Sequence, residues 1–394
     1  MTRVLFLTYD FPYPTNTGGK NRAFNLLCYT AKKMDVYLYS FVRTDFNPEH
    51  LEILRNEGVR DIKVFKRREA KKVSNIPLTL LHNSSIFKTL YFDKKAKEEI
   101  LGFVKEHDID LVHFESAYTG FYLCSELKKR GVTQVLGTEN IEHLLYRDYA
   151  STIRKPFLKP IFHQQASRLK KEELSMFKRA DACVAVTRQE ATYISSYSKK
   201  LCGVVPNGIH LSDFKFSFNE KKQHNLLFVG NFTYFPNVDA MNFFYKEVFQ
   251  KLKNPPTLTI VGKKGQDVLG YTNEKVIFKE FVEDITAEYR TADALVFPVR
   301  IGGGTNFKVL EAMSLGTPII ALPQRLAGFN AVENKDFLKA STGEEFIEQI
   351  EAMYEDKINL KSIALSARKL VDQSYSWDNI GEELVRTWKK TIHE

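Results

Sequence analysis

Cysteine is scarce in this chain. The 394 residues contain four cysteines, Cys28, Cys124, Cys183 and Cys202. Their spacing fits neither the disulfide framework of a small secreted domain nor a zinc site. We therefore expect reduced thiols in a cytoplasmic protein.

Long hydrophobic runs are also missing. No window approaches the roughly 18 consecutive apolar residues expected of a membrane-spanning helix. The apolar run at residues 4–7 is too short for a signal peptide and predicts a first buried strand. With 43% hydrophobic and 27% charged residues, the composition is typical of a globular protein. The length predicts about two domains.

Acidic residues are too few in the first half of the chain to balance its basic residues. Residues 1–200 hold 34 Lys and Arg but 23 Asp and Glu, a net charge of +11, whereas residues 201–394 sum to −2. Such a half suits an acidic partner, either an anionic lipid surface or a phosphorylated acceptor. Nucleic acid is not expected, since no recognition motif accompanies the charge. The basic run 63–72 and the apolar segment 76–81 suit an anionic membrane surface, although a solvated face would also produce such a run.

Short apolar runs alternate with helical stretches along the whole sequence. This alternation predicts an α/β fold whose parallel sheets are covered by helices on both faces. About a dozen strand candidates are too many for one comfortable sheet. The turn at residues 204–209 divides the chain into a first domain of residues 1–203 and a second of residues 204–376.

A glycine loop forms the most informative stretch of the sequence. An apolar strand at 294–297 is followed by three glycines, residues 302–304, and then by a helical segment that carries Lys308 and Glu311. A glycine loop at a helix N-terminus suits a phosphate. Lys308 adds a positive charge, and Glu311 can accept hydrogen bonds from a ribose. The pattern predicts a nucleotide site, with a close-packed strand–turn–helix unit as the alternative.

Polar residues in the first half follow strand candidates, where open parallel sheets bind ligands. Gly18 and Gly19 precede a helix predicted from about residue 21 to residue 33, and they allow an anionic ligand to approach. His113 and Glu115 end one strand. Two further polar residues, Glu139 and Asn140, end the next strand and suit a polyol, although Asn140 is equally suited to cap the following helix. No cluster has metal-ligand spacing.

Several segments together resemble glycosyltransferase family 4, whose members have the GT-B fold. The matching segments are 206–209, 230–231, 236–240, 260–262, 302–313 and 375–377. The resemblance implies two Rossmann-like domains with parallel sheets facing a central cleft. It also implies a final helix, residues 377–394, that packs back on the first domain. The donor is held mainly by the second domain and the acceptor mainly by the first.

The resemblance also implies a reaction, and it completes the set of candidate site residues. It implies a retaining, metal-independent hexosyltransferase that needs no cofactor beyond a UDP- or GDP-linked sugar donor. Catalytic candidates are Glu139, Lys308 and His113, and acceptor-binding candidates are Glu115, Tyr118 and Asn140. Donor-binding candidates are Gly18, Gly19, Asn231, Gly262, Arg300, Gly303, Gly304, Thr305, Asn306, Phe307, Lys308 and Glu311.

Three positions depart from the family pattern. Gly303 stands where the first of two family glutamates belongs, and Asn231 stands where a diphosphate-binding arginine is common. Lys308, with Arg300, is the best substitute charge. The family histidine that touches the transferred sugar aligns with Glu139, which leaves His113 and His143 as rivals for that role.

The expected function is sugar transfer to a glycan, a lipid-linked acceptor or another cell-surface acceptor. The protein is expected in the cytoplasm, with contact to the inner face of the cell membrane as an option. One alternative is a catalytically silent GT-B subunit that binds a partner or acceptor. A sugar-nucleotide epimerase is the other.

Overall fold

The computed structural model describes residues 2–43, 46–67, 84–153, 157–220 and 222–393. Most of the predicted membrane-binding segment, residues 68–72 and 76–81, lies outside the described residues. The chain divides into two compact units. Unit 1 comprises residues 1–207 and 377–394, and unit 2 comprises residues 208–376.

Strands and helices alternate along both units. The strands are β1 (Arg3–Thr8), β2 (Asp35–Val42), β3 (Ile62–Lys66), β4 (Leu111–Glu115), β5 (Thr133–Gly137), β6 (Ala182–Ala185), β7 (Cys202–Val204), β8 (Asn225–Val229), β9 (Thr257–Val261), β10 (Val276–Lys279), β11 (Ala294–Phe297), β12 (Ile319–Ala321) and β13 (Leu338–Lys339). The helices are α1 (Gly18–Ala31), α2 (His50–Asn56), α3 (Ile86–Tyr91), α4 (Lys94–Glu106), α5 (Ser125–Lys129), α6 (Glu142–Thr152), α7 (Lys159–Arg179), α8 (Arg188–Ser198), α9 (Phe235–Glu247), α10 (Gly265–Leu269), α11 (Ile285–Thr291), α12 (Phe307–Leu315), α13 (Pro323–Leu326), α14 (Gly343–Tyr354), α15 (Leu360–Ser374) and α16 (Trp377–His393).

Unit 1 is built on a seven-stranded sheet in the order β3-β2-β1-β4-β5-β6-β7. Every neighbouring pair is parallel. The central strand β1 reads Val-Leu-Phe-Leu through its middle, and these four side chains are fully buried because helices cover both faces of the sheet. The C-terminal helix α16 packs against α1 in this unit.

Unit 2 repeats the architecture with six parallel strands in the order β10-β9-β8-β11-β12-β13. Its core is continuous from β8 through β11, and all four residues of β11 are inaccessible to solvent. The predicted fold class, two Rossmann-like α/β units with parallel sheets, is confirmed. In each unit the loops at the carboxyl ends of the strands are the expected ligand-binding positions.

Candidate active site

The glycine loop of unit 2 runs from the end of β11 to the start of α12. Gly302 and Gly304 adopt φ values of 115° and 73°. The loop carbonyls are bound by Arg325, whose Nε donates to the Val299 carbonyl at 3.1 Å and whose terminal nitrogens donate to the carbonyls of Gly302 and Arg300. Arg325 therefore fixes the loop from its carbonyl side, and the sequence pattern did not single it out.

Helix α12 starts at Phe307, directly after Thr305 and Asn306. The side chain of Asn306 does not cap the helix. The first-turn amides and the positive end of the helix dipole suit an anion here. The predicted phosphate-binding segment thus ends at a helix N-terminus, as its sequence indicated.

Lys308 lies in the first turn of α12. Its Nζ donates to Asn237 Oδ1 at 3.0 Å and sits 4.4 Å from the centre of the Phe228 ring. Burial lowers the pKa of Lys308 to about 7, against a smaller opposing effect of Glu311. The ammonium is therefore poorly stabilised by the protein alone. A bound anion would favour its charged form.

Glu311 is oriented by a buried tyrosine. The hydroxyl of Tyr289, on α11, donates to Glu311 Oε2 at 2.7 Å. Burial raises the pKa of Glu311, while the Tyr289 hydrogen bond and Lys308 counteract that rise. A carboxylate has acceptor sites beyond the one that Tyr289 uses. Glu311 is thus held in one orientation with capacity to accept a further hydroxyl.

The other charged candidate in unit 2 already has a partner. Arg300 makes a two-point contact with Asp239, at 2.7 and 3.1 Å, and its guanidinium carbon lies 4.7 Å from the centre of the Phe243 ring. Because a carboxylate neutralises Arg300, Lys308 is the stronger candidate for the substitute charge at the diphosphate. Gly303 is exposed in the loop.

Asn231 shapes the turn into α9. Its Oδ1 accepts from the backbone and hydroxyl of Thr233, both at 2.9 Å, and its carbonyl accepts from Asn237 Nδ2 at 2.8 Å. Where the family commonly has a charged arginine, this chain has the neutral Asn231, whose side chain stabilises a local turn. Its link to Asn237 connects this turn to Lys308.

Two glycines bring the ends of β8 and β9 into close contact. Gly262 has a φ of 144°, and a Cβ built there would lie 2.0 Å from the carbonyl oxygen of Gly230. A Cβ at Gly230 would lie 2.8 Å from Asn237 Cγ. This close packing places Asn237 where it accepts a hydrogen bond from Lys308. Gly262 therefore supports the site through the backbone.

In unit 1, Gly19 makes room for an acidic side chain. Helix α1 begins at Gly18, earlier than predicted, so both glycines belong to its first turn. A Cβ at Gly19 would lie 2.7 Å from Glu139 Oε2 and 2.7 Å from the Tyr9 hydroxyl oxygen. Burial and the nearby charge of Glu115 raise the pKa of Glu139 to about 7, against a lowering by Arg22. A carboxyl group, rather than a histidine, therefore faces this helix N-terminus.

His113 is placed in the interior of unit 1, not at an open site. Its side chain is fully buried, and Trp388 Nε1 donates to its Nδ1 at 3.2 Å. Its Nε2 lies 2.6 Å from Glu115 Oε2. Since Nδ1 accepts, the proton resides on Nε2 and is donated to Glu115. His113, predicted as catalytic, orients Glu115 in this structure.

Glu115, predicted to bind the acceptor, is also enclosed. Arg22 Nε donates to its Oε1 at 2.8 Å, and both side chains are 1% exposed. Burial alone would raise the pKa of Glu115, but Arg22 and His113 overcome it and lower the value to about 2. Arg22 Nη1 also donates to the carbonyls of Val205 and Pro206, at 2.8 and 3.0 Å. The pair therefore joins the sheet to the segment that follows β7.

The other unit 1 candidates lie around α6. Asn140 does not cap α6, because Ile141 occupies the N-cap position of this helix. Tyr118 donates to Glu142 Oε2 at 2.9 Å and stacks on Tyr91, with ring centres 4.4 Å apart.

The rival His143 is buried at the start of α6. Its Nδ1 lies 2.5 Å from Glu173 Oε2, and its Nε2 lies 2.8 Å from the Tyr193 hydroxyl oxygen. Both ring nitrogens of His143 are therefore engaged. This leaves Glu139 as the better candidate for the role of the family histidine.

Two known protein families match the chain, and together the matches reach both units. The family profile described as Glycosyltransferase Family 4 matches residues 22–213, and the profile of Glycosyl transferases group 1 matches residues 223–356. The chain is therefore similar to glycosyltransferases along most of its length.

A curated relative is also a glycosyltransferase, and solved structures share the fold. An uncharacterized glycosyltransferase of Methanocaldococcus jannaschii, MJ1069, is 23% identical over 242 residues, which cover 55% of this chain and 60% of that protein. This chain thus spans about three fifths of the curated relatives it matches. Sucrose-phosphate synthase from Thermosynechococcus elongatus has a TM-score of 0.73 at 16% identity, with both chains covered completely. Anabaena HepE in complex with UDP-glucose has a TM-score of 0.67 at 14% identity, covering 99% of this chain and 100% of HepE. These structures share the fold of this GT-B chain.

Two features are absent from the described residues of the chain. No group of three or more His, Cys, Asp and Glu side chains there is arranged to hold a metal ion. No helix of the described part is long and apolar enough to cross a membrane.

The raised pKa of Glu139 predicts a pH-dependent effect on stability. Because the folded state binds this proton more tightly than the unfolded state, the stabilisation is complete below the usual carboxyl pKa and is lost as the pH rises through about 7. Glu139→Gln should therefore raise the free energy of unfolding at pH 8 by roughly 1–3 kcal/mol, and at pH 5 by less than about 1 kcal/mol. Urea unfolding at the two pH values measures this difference.

Glu106→Gln, at the exposed end of α4, is the matched control and should show no comparable difference between the two pH values. An equal effect of Glu139→Gln at both pH values would contradict a half-buried, partly protonated Glu139.

Proposed function

We propose that the protein transfers a hexose from a nucleotide-diphosphate-sugar to a glycan, lipid-linked or other cell-surface acceptor. The observation that carries this proposal is the grouping of Lys308 and Glu311 on the first two turns of α12, behind the glycine loop. One segment thereby supplies backbone amides for a phosphate, a positive charge, and a carboxylate that can accept hydrogen bonds from ribose hydroxyls. The family supports sugar transfer as the use of that nucleotide.

The donor nucleotide is proposed to bind unit 2. Backbone amides of Thr305, Asn306 and Phe307 would receive the diphosphate, and Lys308 would add charge. Glu311 would accept from the ribose hydroxyls. Phe281, after β10, is 82% exposed and offers a face on which a base could stack. The complex of HepE with UDP-glucose favours a uridine nucleotide, and GDP is the other candidate.

The proposed reaction retains the anomeric configuration and requires no metal. The bond between the anomeric carbon and the diphosphate oxygen breaks, and a bond to an acceptor hydroxyl oxygen forms on the same face of the sugar. The hydroxyl proton passes to the departing diphosphate. Preorganised amides and Lys308 would stabilise the charge that grows on this leaving group.

The acceptor is proposed to meet unit 1, in the cytoplasm or at the inner face of the cell membrane. The net charge of +11 in residues 1–200 supports a phosphorylated or membrane-bound acceptor. Phe157, just before α7, and Ile161, in its first turn, are 70% and 52% exposed, which suits contact with a lipid surface.

A catalytically silent subunit is the second candidate. Gly303 in the position of a family glutamate, and the pairing of Arg300 with Asp239, favour it. Such a subunit need not bind a nucleotide diphosphate, so binding separates the two proposals.

Thermal unfolding with a panel of ligands tests the proposed function. UDP or GDP at about 100 times its Kd should stabilise the wild-type protein by about 2.7 kcal/mol, a shift of several degrees, by mass action. Glu311→Ala should reduce the shift with the nucleotide but not the shift with inorganic pyrophosphate, which has no ribose. Glu283→Ala, an exposed acid of the same unit, should behave as the wild type. No shift with any nucleotide diphosphate would refute the proposed function and favour the silent subunit.

A further inference from the structure

Tyr234 lies beside the glycine loop of unit 2. It is the N-cap residue of α9, and its large aromatic side chain is 42% exposed. A Cβ built on Gly302 would lie 3.9 Å from the Tyr234 hydroxyl oxygen. Apart from the chain neighbours of Gly302, no other described residue comes within 4 Å of that position. The hydroxyl therefore borders an open space at one side of the loop.

The backbone of Tyr234 is held on both sides. Its N–H donates to the Asn231 carbonyl at 3.3 Å, and its carbonyl accepts from the Asn237 N–H at 3.1 Å. The Asn237 side chain accepts from Lys308. Tyr234 thus belongs to the same hydrogen-bonded turn as the residue that holds Lys308. A side chain on a fixed backbone loses less freedom when a ligand binds, which favours binding.

Arg325 determines which way one loop amide points. Its guanidinium binds the carbonyls of Val299, Arg300 and Gly302. The peptide bond between Gly302 and Gly303 is trans, and in a planar trans peptide the N–H points opposite to the carbonyl. Gly303 is exposed, and its N–H has no acceptor among the described residues. The loop therefore presents a backbone donor on the side away from Arg325.

The order of groups along the segment indicates which phosphate would lie here. Glu311 is three residues beyond Lys308 on α12, about 4.5 Å further along the helix axis. Gly302 lies on the other side of Lys308, before the helix begins at Phe307. With the ribose at Glu311 and the diphosphate at Lys308, the phosphate farther from the ribose is the one closer to Gly302.

We propose that the Tyr234 hydroxyl binds the β-phosphate of the donor nucleotide, donating a hydrogen bond to an oxygen that the Gly303 N–H also contacts. Both groups are hydrogen-bond donors, which suits a phosphate oxygen. Tyr234 supplies a neutral contact in a chain that has Asn231 at the position of the family arginine. The inference rests on the proposed function and adds one residue to its donor site.

Isothermal titration of UDP, GDP, UMP and GMP into the wild type and Tyr234→Phe tests this assignment. The substitution removes one hydroxyl and keeps the ring. The Kd of the tighter diphosphate should rise about tenfold, as expected for a hydrogen bond to a charged group, and the Kd of the matching monophosphate by less than about twofold. Tyr245→Phe is the matched control, because its ring stacks on Tyr271 elsewhere in unit 2, and it should leave both values unchanged.

UDP-glucose, UDP-galactose and GDP-mannose form a second arm of the titration. Tyr234→Phe should weaken the sugar nucleotide that binds by the same factor as its diphosphate. A loss confined to the sugar nucleotide would assign the hydroxyl to the sugar and overturn the inference, as would equal losses for monophosphate and diphosphate. Unchanged diphosphate binding in Tyr234→Phe would also overturn it while leaving the proposed function intact. If the wild type binds no nucleoside diphosphate, the proposed function fails and this inference fails with it.

Discussion

Lys308→Met is expected to weaken binding of UDP or GDP by about 10- to 100-fold, the loss typical of a hydrogen bond to a charged group. Met has a similar length but no charge, and it removes an ammonium whose burial already lowers its pKa to about 7. The fold should therefore survive the change. The rate of sugar transfer should fall by a larger factor than the binding affinity, because the same charge stabilises the diphosphate more strongly as it departs.

Lys308→Met should also weaken the binding of inorganic pyrophosphate, whereas Glu311→Ala should weaken only the binding of the nucleotide. Titration of both ligands into both variants measures the distinction. Lys263→Met, an exposed lysine after β9, is the control and should bind within about twofold of the wild type. Unchanged diphosphate binding in Lys308→Met would remove Lys308 from the site.

Gly262→Ala is expected to destabilise unit 2 by about 3–5 kcal/mol, a shift of roughly 10 °C or more. The added methyl would lie 2.0 Å from the Gly230 carbonyl oxygen, where the contact atom is backbone and cannot move aside as a side chain would. The φ of 144° is also costly for alanine. Thermal unfolding of the variant measures this effect.

Gly270→Ala provides a matched comparison in the same unit. Gly270 has a φ of 62°, but nothing lies within 4 Å of the added Cβ. This change isolates the backbone cost, about 1 kcal/mol. Similar losses for the two variants would contradict the role of close packing between β8 and β9.

The regular parts of both units were predictable because the inner strands are short apolar runs buried on both faces. The predicted strand at 294–297 coincides with β11. The start of α1 was less predictable. The predicted helix began near residue 21, whereas Thr17 caps a helix that already includes Gly18 and Gly19. Glycine favours loops by propensity, and only the neighbouring Glu139 and Tyr9 explain its use inside this first turn.

The site was predictable where its residues are close in sequence. Lys308 and Glu311 share one helix, so their spacing places them together. Arg22, Tyr289 and Arg325 were missed because their partners are distant in sequence: Glu115, Glu311 and the loop carbonyls. The surroundings of His113 were missed for the same reason. Its position near a strand end suggested a ligand, whereas Trp388, distant in sequence, donates a hydrogen bond to it.

Proton uptake on binding tests the central claim most directly, because that claim concerns a partly buried lysine that meets a diphosphate. The measurement is isothermal titration of UDP and GDP at pH 8 in two buffers of different ionisation enthalpy. With a pKa of about 7, Lys308 is mostly neutral in the free protein at that pH and should take up close to one proton when a diphosphate binds. The uptake should be absent from Lys308→Met. Diphosphate binding without proton uptake, or equal uptake in wild type and variant, would contradict the account.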